Sequence, residues 1–351
     1  LRTVANFPMG MFDQGYAISL FEYDENSLLI LSSRLEIMRL ALNEQREVTN
    51  YEVFDLKSSA TGIKDITYRL ASLEKDKNGK LWIAGTNLLL NYNLETNEVR
   101  YFDQNEELFN QISTQQAQTL LVDATNILWI GTLNNGLYKL DLENNTFLNS
   151  DEFTSISESL NNPFHQYPVL SMTQDLKGNI WLGTQGEGGI GVFKEEELIE
   201  SINATSKKPW KFNYITKDLN AEDNPELFEL KRLMTDSKGN VWAGGRGGLS
   251  KLNLTNDNDL KIQSFDSFEN AEGEHIDQTV FAIEEDENGN IWAGYWNNGL
   301  VRLKAGDSSG YSYDIFQHED TNKNSLSNNY VRTITEDSNA NLWVGTMGGL
   351  N

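Results

Sequence analysis

The chain contains no cysteine, which excludes disulfide bonds, thiol catalysis and thiolate metal ligands. It has only three histidines, His165, His275 and His318, and they lack the short spacing that is typical of metal ligands. No stretch approaches the roughly 20 apolar residues of a membrane span, and no signal peptide is recognisable. Because the chain begins with Leu1 and stops at Asn351 inside a repeat, we expect it to be a fragment of a longer protein.

Basic residues are also scarce. The 28 Lys and Arg residues are outnumbered by 52 Asp and Glu residues, and the formal net charge is −24. Nucleic-acid phosphates and anionic membrane surfaces both require a basic face, so we expect no nucleic acid as a partner and no direct membrane contact. No nucleophile elbow, P-loop or dinucleotide fingerprint occurs. The sequence therefore predicts no catalytic residue, no metal site and no cofactor.

The sequence does contain a phrase that occurs six times: a strand that ends in Asp, a Gly/Asn turn, and then Trp and Gly. Its tryptophans are spaced 47, 52, 61, 50 and 51 residues apart, at Trp82, Trp129, Trp181, Trp242, Trp292 and Trp343. A seventh, degenerate copy near the start has Leu29 in the tryptophan position. A period near 50, built from short alternating strands and glycine turns, predicts a β-propeller with one blade per repeat.

We therefore predict an all-β fold, a seven-bladed β-propeller with four antiparallel strands per blade, as a single domain over residues 1–351. The segment Thr3–Phe7 is predicted to pair with the incomplete last blade and to close the ring, since an open edge strand invites aggregation. The predicted blades are residues 16–55, 66–102, 117–150, 169–215, 230–265, 280–316, and 331–351 together with 3–7.

The repeated phrase itself is predicted to be structural. Glycine supplies a position with positive φ in a hairpin, Asp and Asn bond local backbone, and Trp fills the space between blades. Asp286, Asn288 and Asn290 mimic the start of an EF-hand loop, but the glycine is the fourth residue rather than the sixth, and no Glu follows at the twelfth position. Calcium is therefore disfavoured.

Candidate ligand-binding residues lie in the turns after the Trp strands and in the loops between blades, which share one face of a propeller. Tyr295 and Trp296 are predicted to form a stacking platform for a sugar ring, with packing against a neighbouring loop as the alternative. Arg246, among glycines, could hold a carboxylate or sulfate, with simple solvation as the alternative. The full predicted set is Trp296, Tyr295, Arg246, Glu187, Arg34, His165 and Asn134.

The segments 324–331 and 337–350 (Asn-Ser-Leu-Ser-Asn-Asn-Tyr-Val, then Asp-Ser-Asn-Ala-Asn-Leu-Trp-Val-Gly-Thr-Met-Gly-Gly-Leu) together resemble the two-component regulator propeller repeat. The resemblance extends over about residues 16–351. It implies the periplasmic sensor region of a membrane-anchored hybrid two-component histidine kinase. It also implies a small-molecule or oligosaccharide ligand, other domains of the same receptor as partners, and a homodimer formed through domains outside this chain.

Two other functions remain open. A scaffold propeller that binds a protein partner would show an apolar patch on one rim, whereas a ligand sensor would show a concave aromatic and polar pocket. An enzyme similar to streptogramin lyase would require a catalytic histidine, an acidic residue and magnesium. The isolated histidines of this sequence disfavour that enzyme.

Overall fold

The computed structural model describes residues 17–32, 35–56, 70–85, 88–102, 117–133, 137–143, 146–149, 168–185, 189–194, 213–215, 229–255, 260–265, 268–269, 273, 279–304 and 311–351. These residues form 27 strands in seven antiparallel sheets, and Leu56 is the single described residue in helical conformation. Accordingly, no helix in this part of the chain is long and apolar enough to cross a membrane.

The first sheet contains β1 (Ala17–Asp24), β2 (Ser27–Ser32), β3 (Glu36–Leu42) and β4 (Val48–Asp55). The second contains β5 (Leu70–Lys75), β6 (Leu81–Gly85), β7 (Leu88–Asn93) and β8 (Glu98–Tyr101). The third contains β9 (Ala117–Val122), β10 (Ile127–Thr132), β11 (Leu137–Asp141) and β12 (Thr146–Asn149). The fourth contains β13 (Val169–Gln174), β14 (Asn179–Thr184), β15 (Ile190–Lys194) and β16 (Asn213–Ile215).

The fifth sheet contains β17 (Arg232–Thr235), β18 (Val241–Gly245), β19 (Gly248–Leu254) and β20 (Leu260–Phe265). The sixth contains β21 (Val280–Glu285), β22 (Ile291–Tyr295), β23 (Leu300–Lys304) and β24 (Ser312–Phe316). The seventh contains β25 (Val331–Glu336), β26 (Leu342–Thr346) and β27 (Gly349–Leu350).

Each sheet is a simple meander in which consecutive strands are neighbours. The second strand is the most apolar, and β2, β10 and β14 are buried along their whole length. Such a continuous apolar run is expected where both faces of a strand are covered. The outermost strands are more exposed, as β4 and β20 show. The predicted all-β fold with seven blade-like sheets is confirmed. Six sheets have four strands and the seventh has three described strands, while Thr3–Phe7 lies outside the described residues.

The chain divides into two compact units. Unit 1 contains Leu1–Ser58, Gly244–Ser250 and Gln263–Asn351, and therefore the first, sixth and seventh sheets. Within it the first strands of the sheets lie side by side, with β25 between β21 and β1. Unit 2 contains Ser59–Ala243 and Lys251–Ile262. Within it β9 lies between β5 and β13, and β17 follows β13. The division between the units falls within β18, β19 and β20 of the fifth sheet, so that each of these strands has residues in both units.

The repeated phrase builds a hydrogen-bonded turn between the first and second strands. Asp175 shows the arrangement: its Oδ1 accepts from the backbone N–H groups of Lys177 and Asn179, each at 2.9 Å. Its Oδ2 accepts from the indole Nε1 of Trp181 at 2.9 Å. The same Asp–Trp bond, 2.7 to 3.0 Å long, occurs in all six copies. The predicted structural role of the phrase is confirmed, and the indole bond is a further element that the sequence did not indicate.

The tryptophans also fill the space between neighbouring sheets, as predicted. Trp181 of the fourth sheet packs with Leu230 and Val241 of the next repeat, and Trp343 of the seventh sheet packs with Leu28 and other residues of the first. Burial of such large side chains is the main favourable contribution to folding. Each phrase therefore stabilises its own turn and the contact with the following sheet at once.

In five of the six copies a glycine follows the tryptophan by two residues, and this glycine permits close packing of the next sheet. A Cβ placed on Gly294 would lie 2.4 Å from Cγ1 of Val331, the first residue of β25. A Cβ on Gly244 would likewise lie 2.6 Å from Cγ1 of Val280, and a Cβ on Gly131 would lie 2.7 Å from Cγ1 of Val169. Real Cβ atoms do not approach other atoms so closely. The glycine of the repeated Trp-x-Gly spacing is therefore required for the first strand of the following sheet to pack at this distance.

An ionic contact joins the seventh sheet to the first within unit 1. Arg46, which is 10% exposed at its side chain, donates through Nε and Nη2 to Asp337 Oδ2 at 2.8 and 2.5 Å. The same guanidinium donates to Glu22 at 3.1 Å and to the Glu25 carbonyl. Asp337 is also the acceptor for Trp343. The two ends of the repeat series are thus held together by side chains as well as by packing.

Candidate functional site

The first strands share an irregularity near their beginning. In six sheets the pairing between the first and second strands shifts by one residue there. In the sixth sheet, for example, Val280 pairs with Tyr295 and Ala282 with Gly294, which leaves Phe281 without a partner in the ladder. A β-bulge of this kind re-aims the side chain of the unpaired residue. The unpaired residues are Ile18, Ala71, Gln118, Leu170, Phe281 and Arg332.

These bulged residues differ in chemistry although their positions are equivalent. They include aliphatic, amide, aromatic and cationic side chains, whereas the residue before the bulge is a buried valine in Val169, Val280 and Val331. All of them lie at the end of the first strand that is opposite to the Asp–Trp turn. Variable side chains on a constant backbone are what a recognition surface requires.

Two bulged residues of unit 1 meet around Trp296. The ring centroids of Phe281 and Trp296 are 5.2 Å apart with an interplanar angle of 35°. Tyr330 contacts Trp296 edge-on, at 4.9 Å and 85°. The Cζ atom of Arg332 lies 4.9 Å from the Phe281 ring centroid and 5.8 Å from that of Trp296. We refer to Phe281, Trp296, Tyr330 and Arg332 as the aromatic patch.

Backbone hydrogen bonds hold the aromatic patch from three sides. The N–H of Trp296 donates to the carbonyl of Thr279 at 2.9 Å, just before β21. The N–H of Gly299 donates to the carbonyl of Asn329 at 2.9 Å, and that of Met347 donates to the carbonyl of Tyr330 at 3.0 Å. The turn that carries Trp296 is therefore fixed to both neighbouring first strands, which makes the patch a pre-organised surface.

The chemistry of the aromatic patch suits a ligand with an apolar face and polar edges. Trp296 is 38% exposed, although its ring is large and apolar. An exposed indole offers a stacking surface, and the guanidinium of Arg332 carries N–H donors in a planar fork that matches carboxylate or sulfate. Packed aromatic and cationic groups of this kind also attract each other, which keeps the patch ordered without a ligand.

The structure separates Tyr295 from Trp296, although the sequence predicts a joint platform. Tyr295 is the last residue of β22 rather than part of the turn, and it is only 1% exposed. Its ring packs edge-on against Phe268 at 6.3 Å, and its hydroxyl has no hydrogen-bond partner among the described residues. Burial raises the pKa of this hydroxyl. Tyr295 therefore does not form the exposed surface, and the aromatic neighbours of Trp296 are Phe281 and Tyr330.

The other predicted ligand-binding residues are placed as follows. Arg246 is exposed in the turn between β18 and β19, in unit 1. Glu187, Arg34, His165 and Asn134 lie outside the described residues. Sequence reasoning did not select Phe281, Tyr330 or Arg332. The sequence signal that could have identified Phe281 and Arg332 is their position directly after the first valine of a first strand. This position varies between repeats, whereas the other positions of the strand are similar.

In unit 2, the carboxyl group of Glu74 has an unusual pKa. Burial raises the pKa of Glu74, on β5, to about 7, although the nearby Arg232 and a hydrogen bond from the Val122 backbone act in the opposite direction. Glu74 is therefore partly protonated at neutral pH. Across the described ranges, no group of three or more His, Asp or Glu side chains could hold a metal ion.

Comparison with known families identifies the class of repeat. Residues 275–297 and 325–348 match the family described as Two component regulator propeller. These two stretches contain all four residues of the aromatic patch. Two stretches of the chain therefore match the two-component regulator propeller repeat, the family that its sequence resembles.

Individual relatives are longer and more distant. Histidine kinase P4 of Formosa agariphila is 27% identical over 219 residues, which are 62% of this chain but 14% of the kinase. The extracellular domain assigned to a hybrid two component system of B. thetaiotaomicron superposes with a TM-score of 0.67 and 19% identity, over 95% of this chain and 39% of that domain. The virginiamycin B lyase of Staphylococcus aureus superposes with a TM-score of 0.64 and 11% identity, over 100% of this chain and 96% of the lyase. At these identities the superpositions show a common propeller fold and nothing about activity.

Proposed function

We propose that this chain is the ligand-sensing propeller of a two-component signalling receptor, located in the periplasm, and that an oligosaccharide binds at the aromatic patch. The regulator propeller repeats and the relationship to a histidine kinase support the signalling role. A solved neighbour that is an extracellular domain supports the location.

The observation that carries the proposal is the aromatic patch. A half-exposed indole, flanked by two further rings and an arginine, is held by backbone hydrogen bonds to both adjacent strands. Stacking of a sugar ring on Trp296 would leave its hydroxyl or carboxyl groups within the range of Arg332 and of the Tyr330 hydroxyl. Ligand sites of this type combine an apolar surface with a few fixed polar groups.

In the parent receptor the bound ligand would act by population shift. Binding changes signalling only to the extent that the affinity differs between the two receptor states. The propeller would therefore transmit the signal through contacts with other domains of the same receptor, in a dimer formed by those domains. No catalytic activity is proposed, because the likeness to the lyase is one of fold.

A binding screen with matched variants tests the proposal. The probes are neutral, uronate-containing and sulfated oligosaccharides, and the readout is the thermal unfolding midpoint. A ligand at 100 times its Kd adds about 2.7 kcal/mol to stability, which is easily detected. We expect Trp296→Ala to lower the affinity about tenfold or more, and Arg332→Met to weaken only the acidic sugars.

The control for this screen is Tyr51→Ala, which removes another exposed aromatic ring, 45% exposed on β4. This variant should bind as the unaltered protein does. A Trp296→Ala variant that keeps full affinity for a bound sugar would refute the proposed site. A complete lack of response over the whole panel would contradict the proposed ligand class.

A scaffold role is the second candidate, and the first sheet supports it. The outer strand β4 is eight residues long, and Tyr51 and Val53 on one of its faces are 45% and 46% exposed. A cleft of about 560 Å³ lies beside it, lined by residues that include Asp24, Arg39 and Glu52. An exposed edge strand can pair with a strand of another chain. If this is the main function, Tyr51→Lys with Val53→Lys should weaken association with the rest of the receptor in sedimentation experiments, whereas Trp296→Ala should not.

A further inference from the structure

The segment between β24 and β25, residues 317–330, contains a histidine whose two ring nitrogens both face acceptors. Nδ1 of His318 lies 2.5 Å from the carbonyl oxygen of Leu326, and Nε2 lies 3.1 Å from Oδ1 of Asp320. A neutral imidazole carries one N–H and can donate only one of these bonds, whereas the imidazolium ion donates both. The arrangement therefore favours the protonated ring.

The charged surroundings agree with this conclusion. The hydrogen bond to the Leu326 carbonyl and that to Asp320 raise the pKa of His318 above its ordinary value. Asp320 is the charged group that acts on the ring in the described part of the chain. The neighbouring Glu319 accepts a hydrogen bond from Asn322, and Lys323 lies in the same segment. The turn at residues 296–299, which packs against this segment, carries no titratable side chain.

The same histidine is connected to the aromatic patch through Asn329. The N–H of His318 donates to Oδ1 of Asn329 at 2.6 Å, and the carbonyl of Asn329 accepts from the N–H of Gly299 in the Trp296 turn. Tyr330, whose ring contacts Trp296, is the next residue. On the other side Leu326, which accepts the Nδ1 bond, is 1% exposed and packs with Trp292, Leu300 and Val331.

We propose that His318 is a positioning residue for the aromatic patch, and that the edge-on contact between Tyr330 and Trp296 is complete only while the ring is protonated. Loss of the proton removes one of the two ring bonds and places a lone pair against an acceptor. The segment then loosens at Leu326 or at Asp320, and the position of Tyr330 becomes less defined. The consequence for ligand affinity, a weaker site at higher pH, rests on the proposed function.

The sign of the pH dependence follows from the raised pKa. The stabilising contribution of His318 is complete below its ordinary pKa of about 6.5 and is lost as the pH rises through the pKa of the folded state. The transition therefore lies above about pH 6.5. Asp320→Asn removes the carboxylate that helps to raise the pKa of His318, and should therefore move the transition to lower pH.

The experiment observes Trp296 directly and needs no ligand. The protein is labelled with 5-fluorotryptophan, the Trp296 resonance is assigned by its loss in Trp296→Phe, and fluorine spectra are recorded from pH 5 to pH 9. We expect the Trp296 resonance to titrate in one step, and that of Trp181, which lies in the fourth sheet and packs with Leu230 and Val241, to stay nearly constant. The matched variant His318→Asn keeps one donor for the Leu326 carbonyl but has no titrating ring, so its Trp296 resonance should not move.

The outcomes separate this inference from the proposed function. A Trp296 resonance that is constant over the pH range, or that titrates equally in His318→Asn, would overturn the role of His318, whether or not sugars bind. A titration that shifts with Asp320→Asn and disappears with His318→Asn would establish it, even if no oligosaccharide binds. The same panel at pH 5.5 and pH 8.5 then shows whether affinity follows the titration.

Discussion

The two ends of each sheet differ in how much they vary. At the turn between the first and second strands, six copies repeat the same carboxylate, the same indole bond and nearly the same distances. At the opposite end, the bulged residue and the following turns differ in every copy, from Gln118 to Phe281 to Arg332. Stability is concentrated at the constant end, and recognition is proposed for the variable end. Substitutions at the two ends should therefore separate folding from binding.

The largest expected effect comes from removing a carboxylate at the constant end. In Asp175→Ala the indole of Trp181 and two backbone N–H groups lose their acceptor in a buried turn. Each unsatisfied donor costs about 1–3 kcal/mol, so we expect a loss of about 3 kcal/mol or more in the free energy of unfolding. Denaturant unfolding measures it. The control Asp175→Asn keeps one acceptor and should lose clearly less. Equal losses for the two variants would contradict the hydrogen-bond account.

The second-largest expected loss of stability comes from disturbing the packing of β25 against Gly294. Gly294→Ala places a methyl group 2.4 Å from Cγ1 and 2.9 Å from Cβ of Val331, and overpacking of this kind should cost about 2–3 kcal/mol. The double variant with Val331→Ala should recover part of that loss, which a double-mutant cycle measures as coupling. Strictly additive losses would mean that the methyl group is accommodated elsewhere.

A smaller effect is expected from Glu74. Its folded pKa of about 7 exceeds the ordinary value of 4.5, so the folded state retains a proton that the unfolded state has released. Stability should therefore fall as the pH rises from about 4.5 to about 7, by about 1–2 kcal/mol, which is less than the full pKa difference would give because the side chain is only partly buried. Glu74→Gln should remove this slope, as seen in thermal unfolding at pH 5 and pH 8. An unchanged slope in the variant would show that another group titrates.

The smallest expected change in stability concerns a turn of the repeated phrase that has alanine where four other copies have glycine. The turn residue is glycine in four copies, such as Gly289 with φ of 76°, but it is Ala340 in the seventh sheet, with φ of 61°. A left-handed conformation disfavours a side chain, so Ala340→Gly should stabilise the protein by about 0.5–1 kcal/mol. The reverse change, Gly289→Ala, should destabilise it by a similar amount. Thermal unfolding of both variants is sufficient, and two changes of the same sign would contradict the explanation.

Much of the fold can be predicted from the sequence because the turn at the constant end is determined by particular residue types at fixed positions. Asp, Gly and Trp at fixed spacing indicate the turn, the positive φ and the packing between sheets, and each is found in the structure. The sequence also indicates Trp296, for a different reason: an aromatic residue stands where most other copies have small or polar ones. The predicted position of Tyr295 in this turn is wrong by one residue, because the sequence does not mark where the strand ends.

The rest of the candidate site depends on register, which the sequence does not show. Phe281 and Arg332 follow a valine in what reads as an ordinary alternating strand, and only the shift in pairing directs them to the patch. The contact of Tyr330 with Trp296 joins two loops of different repeats. The sequence shows His318 only as an isolated histidine, because its partners Leu326 and Asp320 are brought to it by the folding of one segment.

The repeated indole bond has an optical consequence. The six tryptophans of the phrase are at most 8% exposed, and each donates to a carboxylate, so they emit from dry and nearly equivalent surroundings. Trp296 is the strongly accessible indole of the described chain. Once Trp210, which lies outside the described residues, is replaced by Phe, a collisional quencher such as acrylamide should therefore quench mainly the emission of Trp296. Trp296 is thus a built-in fluorescent reporter of the aromatic patch, and a molecule that covers the patch would protect the Trp296 emission from the quencher.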